Sequence, residues 1–189
     1  MNEICTLPHA VLHPGFRAYQ IPVTVEKPRS VLSTGPVNFL ALERDSQSVI
    51  HVFDSNDDGI PESRRPVASA KNLNHGLAIY EGYIYASSDT TVYRWPYQDY
   101  TADAVGEVEE VVFNINADGR GGAPKGHTTR TLAFDDTGRL YISVGVRKLS
   151  HRAFAIVYLH GSANLSTFSH SLVLETSRKV LSKCGCRLT

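Results

Sequence analysis

Up to Gly145 the chain alternates apolar and polar residues in short runs, punctuated by Gly, Asp, Ser and Asn. A period of two over roughly 4–8 residues marks a half-buried strand. The pattern therefore predicts strands over 37–44 and 48–55, joined by Asp45-Ser46-Gln47. A second hairpin is expected from 77–80 and 83–87 about Glu81-Gly82, followed by strands over 91–95 and 108–115. A last hairpin is expected within 129–145, turning at Asp135-Asp136-Thr137-Gly138. No segment before residue 147 has the 3.6-residue apolar period of a helix, so the expected class is all-β.

Three apolar starts resemble one another: Phe39-Leu40-Ala41-Leu42, Gly76-Leu77-Ala78-Ile79 and Thr131-Leu132-Ala133-Phe134. Leu40 and Leu77 are 37 residues apart, and Leu77 and Leu132 are 55 apart. These spacings straddle the roughly 40–50 residues of a four-stranded propeller blade, although a β-sandwich also yields strands at regular intervals. About three blades fit before residue 146, whereas closed propellers have roughly 4–8. The expected architecture is thus a partial β-propeller of about three blades.

The chain changes character at residue 147. Residues 1–146 carry a charge balance of −6 and residues 147–189 one of +6, which together give the net charge of zero. The later segment has seven serines, no Asp and no Pro, and an apolar run over 153–159 unlike the earlier hairpins. Such a shift marks a boundary between two kinds of sequence. The expectation is a propeller-like unit over 1–146 and a divergent, poorly integrated tail over 147–189. A strand-helix ending that belongs to the same domain is the competing reading.

Composition narrows the class without naming an activity. With 42% apolar and 20% charged residues the chain has the make-up of an ordinary globular domain. A net charge of zero argues against nucleic acid as the main partner, and no window approaches the roughly 20 apolar residues that span a bilayer. Met1-Asn2-Glu3-Ile4-Cys5 has neither a basic stretch nor an apolar run, so no secretory signal is visible. Cys5, Cys184 and Cys186 are too few and too badly spaced for a disulfide framework or a metal site.

His127 is the residue most suited to chemistry. It precedes a strand in a Gly-rich, basic loop containing Arg120, Gly121, Gly122, Lys125 and Gly126, where a side chain faces a cleft while the sheet holds it still. An unperturbed pKa near 6.5 suits imidazole to general-base work, while a solvated loop histidine is the plain alternative.

The hairpins resemble those of the soluble quinoprotein glucose and sorbosone dehydrogenases, and within them the sorbosone or pyranose dehydrogenase branch. The resemblance covers roughly 14–146. It rests on Asn74-His75-Gly76-Leu77-Ala78, on Tyr83-Ile84-Tyr85-Ala86 with Val92-Tyr93-Arg94-Trp95-Pro96-Tyr97, and above all on Gly126-His127-Thr128-Thr129-Arg130 with Gly138-Arg139-Leu140-Tyr141-Ile142-Ser143-Val144-Gly145. It implies oxidation of a sugar hydroxyl by pyrroloquinoline quinone with a bound calcium ion, passing electrons to a further acceptor. His127 would be the general base. His75, at the matching mouth of an earlier hairpin, would face the cofactor cavity or else cap its own loop. Arg130 would pair with a cofactor carboxylate or lie on a solvated strand face. Members of the family are typically secreted or periplasmic. Two departures point to an inactive fragment: Val146-Arg147-Lys148-Leu149 stands where the family places polar site residues, and the later blades that complete the quinone site are missing. A non-enzymatic propeller-type binding module, or a truncated product without function, is the alternative.

Asp54-Ser55-Asn56-Asp57-Asp58-Gly59 opens like a calcium loop, but position twelve is Arg65 rather than Glu. The expected structure is an Asx-rich turn, and no metal ligands are assigned. Gly119-Arg120-Gly121-Gly122 does not join a strand to a helix as phosphate loops do.

Overall fold

The computed structural model describes residues 11–16, 18–97, 106–115, 128–144, 155–160 and 169–171. Among these the chain is all-β, and no helix is long and apolar enough to cross a membrane. Twelve strands form three four-stranded antiparallel sheets. The first sheet runs β1 (Pro28–Ser33), β2 (Phe39–Glu43), β3 (Ser48–Phe53), β4 (Ser63–Ser69) in spatial order. The second runs β5 (Leu77–Tyr80), β6 (Tyr83–Ser87), β7 (Val92–Pro96), β8 (Glu109–Val112). The third runs β9 (Leu132–Phe134), β10 (Leu140–Val144), β11 (Ala155–His160), β12 (Ser169–Ser171). Each sheet is a simple meander, and β5 lies against β1 on one side and β9 on the other. Three blades with their first strands innermost make a partial β-propeller.

The turns follow local chemistry. Glu81 and Gly82 both have positive φ (45° and 76°), the two-residue hairpin turn whose twist matches the flanking strands. Asp135 builds the β9–β10 turn: its Oδ1 accepts from the N–H groups of Thr137 (3.0 Å) and Arg139 (3.0 Å). Its Oδ2 accepts from Arg139 Nε (2.6 Å) and the Tyr141 hydroxyl (3.0 Å).

The two blade interfaces hold the core. Leu40, Leu42 and Val49 of the first blade pack with Leu77, Ile84, Ala86, Tyr93 and Trp95 of the second. The opposite face of the second blade, with Ala78, Tyr85, Val92 and Val112, packs on Leu132, Leu140, Ile142 and Val144 of the third. The far side of the first blade is covered by residues ahead of β1, where half-buried Ile21, Val23 and Val25 alternate with exposed Pro22, Thr24 and Glu26. Buried Glu43 and partly exposed Arg64 hold this segment: Glu26 N–H donates to Glu43 Oε1 (2.7 Å) and Arg64 Nη1 to the Thr24 carbonyl (2.6 Å).

The repeat is out of phase with its sequence signature. Gly76-Leu77 and Thr131-Leu132 do lead into innermost strands, but Phe39-Leu40-Ala41-Leu42 is the second strand of its blade. The innermost strand there is β1, whose side chains are exposed or half-buried and so show little apolar pattern. The outermost β4 is hidden similarly by Arg64, Arg65 and Pro66, residues suited to an edge strand. Two strands of the third blade, β11 and β12, fall within 147–189; β11 pairs with β10 from Leu140↔Leu159 to Val144↔Ala155.

His51 on β3 is 2% exposed, stacks on Phe53 at 5.1 Å, and neither ring nitrogen has a hydrogen-bond partner. Burial, and then the nearby Arg65 charge, push its pKa below the ordinary value. A base that is harder to protonate when folded leaves stability intact above the unfolded pKa near 6.5 and erodes it as pH falls towards the folded pKa. The urea midpoint of the wild type should therefore drop more between pH 7.5 and pH 5 than that of His51→Leu. Equal slopes would show that His51 does not limit acid stability.

Candidate functional site

In an antiparallel meander the β2–β3, β4–β5 and β6–β7 connections, and the approach to β9, come to the same end of the blades. Arg44 and Gln47, Asn72 to Asn74, Asp89 and Thr128 line a cavity of about 350 Å³ there. His75 and Arg130 hold equivalent places beside it, each one residue ahead of the position that pairs with its blade's serine. Gly76 N–H donates to Ser87 Oγ (2.8 Å), and Thr131 N–H donates to Ser143 Oγ (3.0 Å).

Ser87 joins the two loops. Its carbonyl accepts from the N–H groups of Asn74 (2.9 Å) and His75 (3.4 Å), and its hydroxyl donates to the Arg130 carbonyl (2.9 Å). Asn74, 7% exposed, adds a second tie: its Nδ2 donates to the Thr128 carbonyl (2.8 Å) while its buried Oδ1 has no partner. His127, the residue read as general base, lies outside the described residues; Asn74 grips the residue that follows it.

His75 is half-buried, and its Nδ1 is buried without a hydrogen-bond partner. Burial, then the charge of Arg29, lower its pKa and favour the neutral ring. Its carbonyl accepts from Ser30 Oγ of β1, so the loop is also tied to the first blade. Arg130 is fully buried, which removes the solvated-face reading. Its Nη1 donates to the Thr129 carbonyl (2.8 Å); burial lowers its pKa, opposed by the charge of Asp89. Sequence reasoning did not find Ser87 or Asn74 as linking residues. The strand-end serine that recurs as Ser87 and Ser143 was the available signal.

One acidic cluster stands among the described residues: Asp54, Asp58 and Glu62, with ligand oxygens within 4.8 Å of one another. It belongs to the β3–β4 connection, at the opposite end of the blade from His75. Asp54 accepts N–H bonds from Asn56 (3.2 Å), Asp58 (3.3 Å) and Gly59 (2.6 Å), and Glu62 from Ser55 (3.0 Å). Burial works upward on Asp54, but the N–H groups of Gly59, Asn56 and Asp58 hold its pKa below the ordinary carboxylate range. This is the Asx-rich turn the spacing predicts. With its carboxylates engaged and no glutamate at position twelve, calorimetric titration should find calcium no tighter than about millimolar. Micromolar binding abolished by Asp54→Ala would overturn that reading.

Among the described residues, His75, Arg130 and the acidic cluster do not by themselves make a site for a carboxylate-bearing quinone and its calcium ion: the cluster lies at the opposite end of the blade, and Arg130 is fully buried, with Nη1 donating to the Thr129 carbonyl.

The fold defines the class of protein, an all-β partial propeller, with His75 and Arg130 at successive inner-strand mouths. More particularly, residues 10–183 match the TrAA12-like family, and the chain belongs to it. The relation to quinoprotein sugar dehydrogenases carried by the hairpins is thereby shown. Among solved structures the chain is similar to the holo form of the pyranose dehydrogenase PQQ domain from Coprinopsis cinerea, at 23% identity and a TM-score of 0.48. That similarity covers 65% of this chain, which spans 28% of the other. No curated protein matches the chain.

Proposed function

We propose that the chain is part of a pyrroloquinoline quinone-dependent sugar dehydrogenase propeller, of glucose, sorbosone or pyranose type, that does not turn over alone. In this reading His127 is the base that takes a sugar hydroxyl proton, and His75 and Arg130 belong to the cofactor side of the cavity. The observation that carries it is the bond from Asn74 to the Thr128 carbonyl, which draws the segment after His127 onto the loop of His75. A neutral His75 and a buried cation in adjoining loops agree with it. A general base without a complete acceptor site cannot oxidise a sugar.

The test is a dye-coupled oxidation assay on the 189-residue chain with added quinone, calcium and a panel of aldoses. The expected result is no sugar-dependent dye reduction and no rise in melting temperature from ligand linkage. Turnover that disappears in His127→Ala would show the site to be complete. The cavity favours a second reading, a binding module: Arg44, Gln47, Asn72 and Asp89 with the unpartnered Asn74 Oδ1 form a polar lining suited to a polyhydroxylated ligand. Saturable heat on adding a monosaccharide, lost in Asn74→Leu and without turnover, would select it.

A further inference from the structure

We propose that the cavity at the blade ends binds a monosaccharide acid, a single sugar ring bearing a carboxylate, in preference to a neutral sugar, and that Arg44 selects the charge. The proposal deepens the binding-module reading and rests on it.

The cavity has a buried floor and an open rim. Leu73 and Asn74 are 1% and 7% exposed, Asp89 and Thr128 are half-buried, and Arg44, Gln47 and Asn72 are exposed. Its volume of about 350 Å³ is at the small end of the roughly 300–1,000 Å³ of ligand pockets, which favours one sugar ring over a chain. Two hydrogen bonds fix its walls. Gln47 Oε1 accepts from Asn72 N–H (2.7 Å), tying the β2–β3 turn to the β4–β5 loop, and Asn74 Nδ2 donates to the Thr128 carbonyl (2.8 Å).

The groups left over are those that recognise hydroxyls. Asn74 Oδ1 is buried without a partner, an unmet acceptor for a hydroxyl donor. The side-chain amide of Asn72 and the carboxylate of Asp89 make no hydrogen bond among the described residues, so both donors and acceptors are on offer.

Charge decides which polyol fits. Glu43 is engaged by Arg64 (3.0 Å) and Asp45 by Lys27. The charge of Asp89 acts on fully buried Arg130 and is offset by it. Arg44 has no ion pair and no side-chain hydrogen bond among the described residues. The charge of Arg29, felt at neighbouring His75, adds to the positive side. A surplus cation therefore stands on the rim as an exposed planar guanidinium, whose paired N–H groups match the two oxygens of a carboxylate. A neutral sugar leaves that fork to water, and a bare carboxylate leaves the amides and Asp89 to water. A sugar acid meets both.

Isothermal titration of the full chain with glucuronate, glucose and acetate tests this. Glucuronate should bind at least about tenfold more tightly than glucose, the size of a charge-assisted bond on an open rim, and acetate at equal concentration should not displace it. Arg44→Gln alters an exposed side chain and should keep the wild-type melting temperature. In that variant the affinity for glucuronate should fall to that for glucose. Arg44→Lys, which keeps the charge but loses the fork, should lie between. Equal affinity of the wild type for the two sugars would overturn the proposal and leave the binding-module reading standing, whereas binding of neither would overturn both. A glucuronate preference that survives in Arg44→Gln, or displacement by acetate alone, would also overturn the proposal.

Discussion

Replacing Gly76 by alanine should lower the melting temperature by roughly 6–12 °C, the equivalent of about 3 kcal/mol in a domain of this size. Gly76 is buried where the second and third blades meet. An added methyl would come within 2.5 Å of Ser87 Oγ and 2.6 Å of Leu132 Cγ, and closer still to the Arg130 carbonyl. The strand mouth cannot yield without breaking the Ser87–Arg130 bond and the Gly76–Ser87 bond, each of which has a buried partner. Thermal unfolding followed by circular dichroism checks the size of the effect. Gly35→Ala is the control: the nearest atom to its new methyl is Asn38 Cβ at 3.8 Å, so a change within about 0.5 kcal/mol is expected. A Gly76→Ala protein as stable as the control would mean that the blades do not meet as described.

Glu43→Ala should cost about 2–4 kcal/mol, measured as a fall in urea midpoint at constant slope. The fully buried carboxylate accepts from Glu26 N–H (2.7 Å), Ser46 Oγ (2.9 Å) and Arg64 Nη2 (3.0 Å). Removing it leaves the Glu26 N–H, the Ser46 hydroxyl and Arg64 without their shared acceptor and frees the segment that covers the first blade. The Arg64 side chain is 31% exposed, so solvent recovers part of the loss on that side and the estimate stays at the lower end for broken buried pairs. Glu43→Gln keeps an acceptor for Glu26 and should cost less. The exposed Lys27–Asp45 pair is the contrast, and Asp45→Asn should change stability by less than about 1 kcal/mol. Equal losses at Glu43 and Asp45 would remove the special place given to the buried carboxylate.

The hairpin from Leu77 to Ser87 was legible in the sequence because its causes are local. Alternation over four or five residues and a Glu-Gly turn suffice to pair two neighbouring strands, and Gly82 supplies the positive φ that the turn requires at its second position. The same holds for Asp135, whose side chain organises the next turn within four residues of itself. The first and last strands of the first blade were not legible. β1 buries little, and β4 carries charges and a proline, so neither has the binary pattern that comes from burial on one face. That is why Phe39-Leu40-Ala41-Leu42 read as the start of a blade when it is the second strand.

The candidate site divides along the same line. His75 and Arg130 stood out through the family resemblance, which rests on the short motifs around them. Alone, the sequence determined the all-β class, the main hairpins, the blade count and the family resemblance, since each depends on contacts between residues close in the chain or on short motifs. Only the tertiary structure decided that Arg130 is buried, that Ser87 reaches it across 43 residues, and that Asn74 reaches Thr128 across 54. It also decided that the Asp54 cluster lies at the other end of its blade. A polar side chain's burial and partners are set by whichever segment the fold lays over it, and no local pattern carries that information.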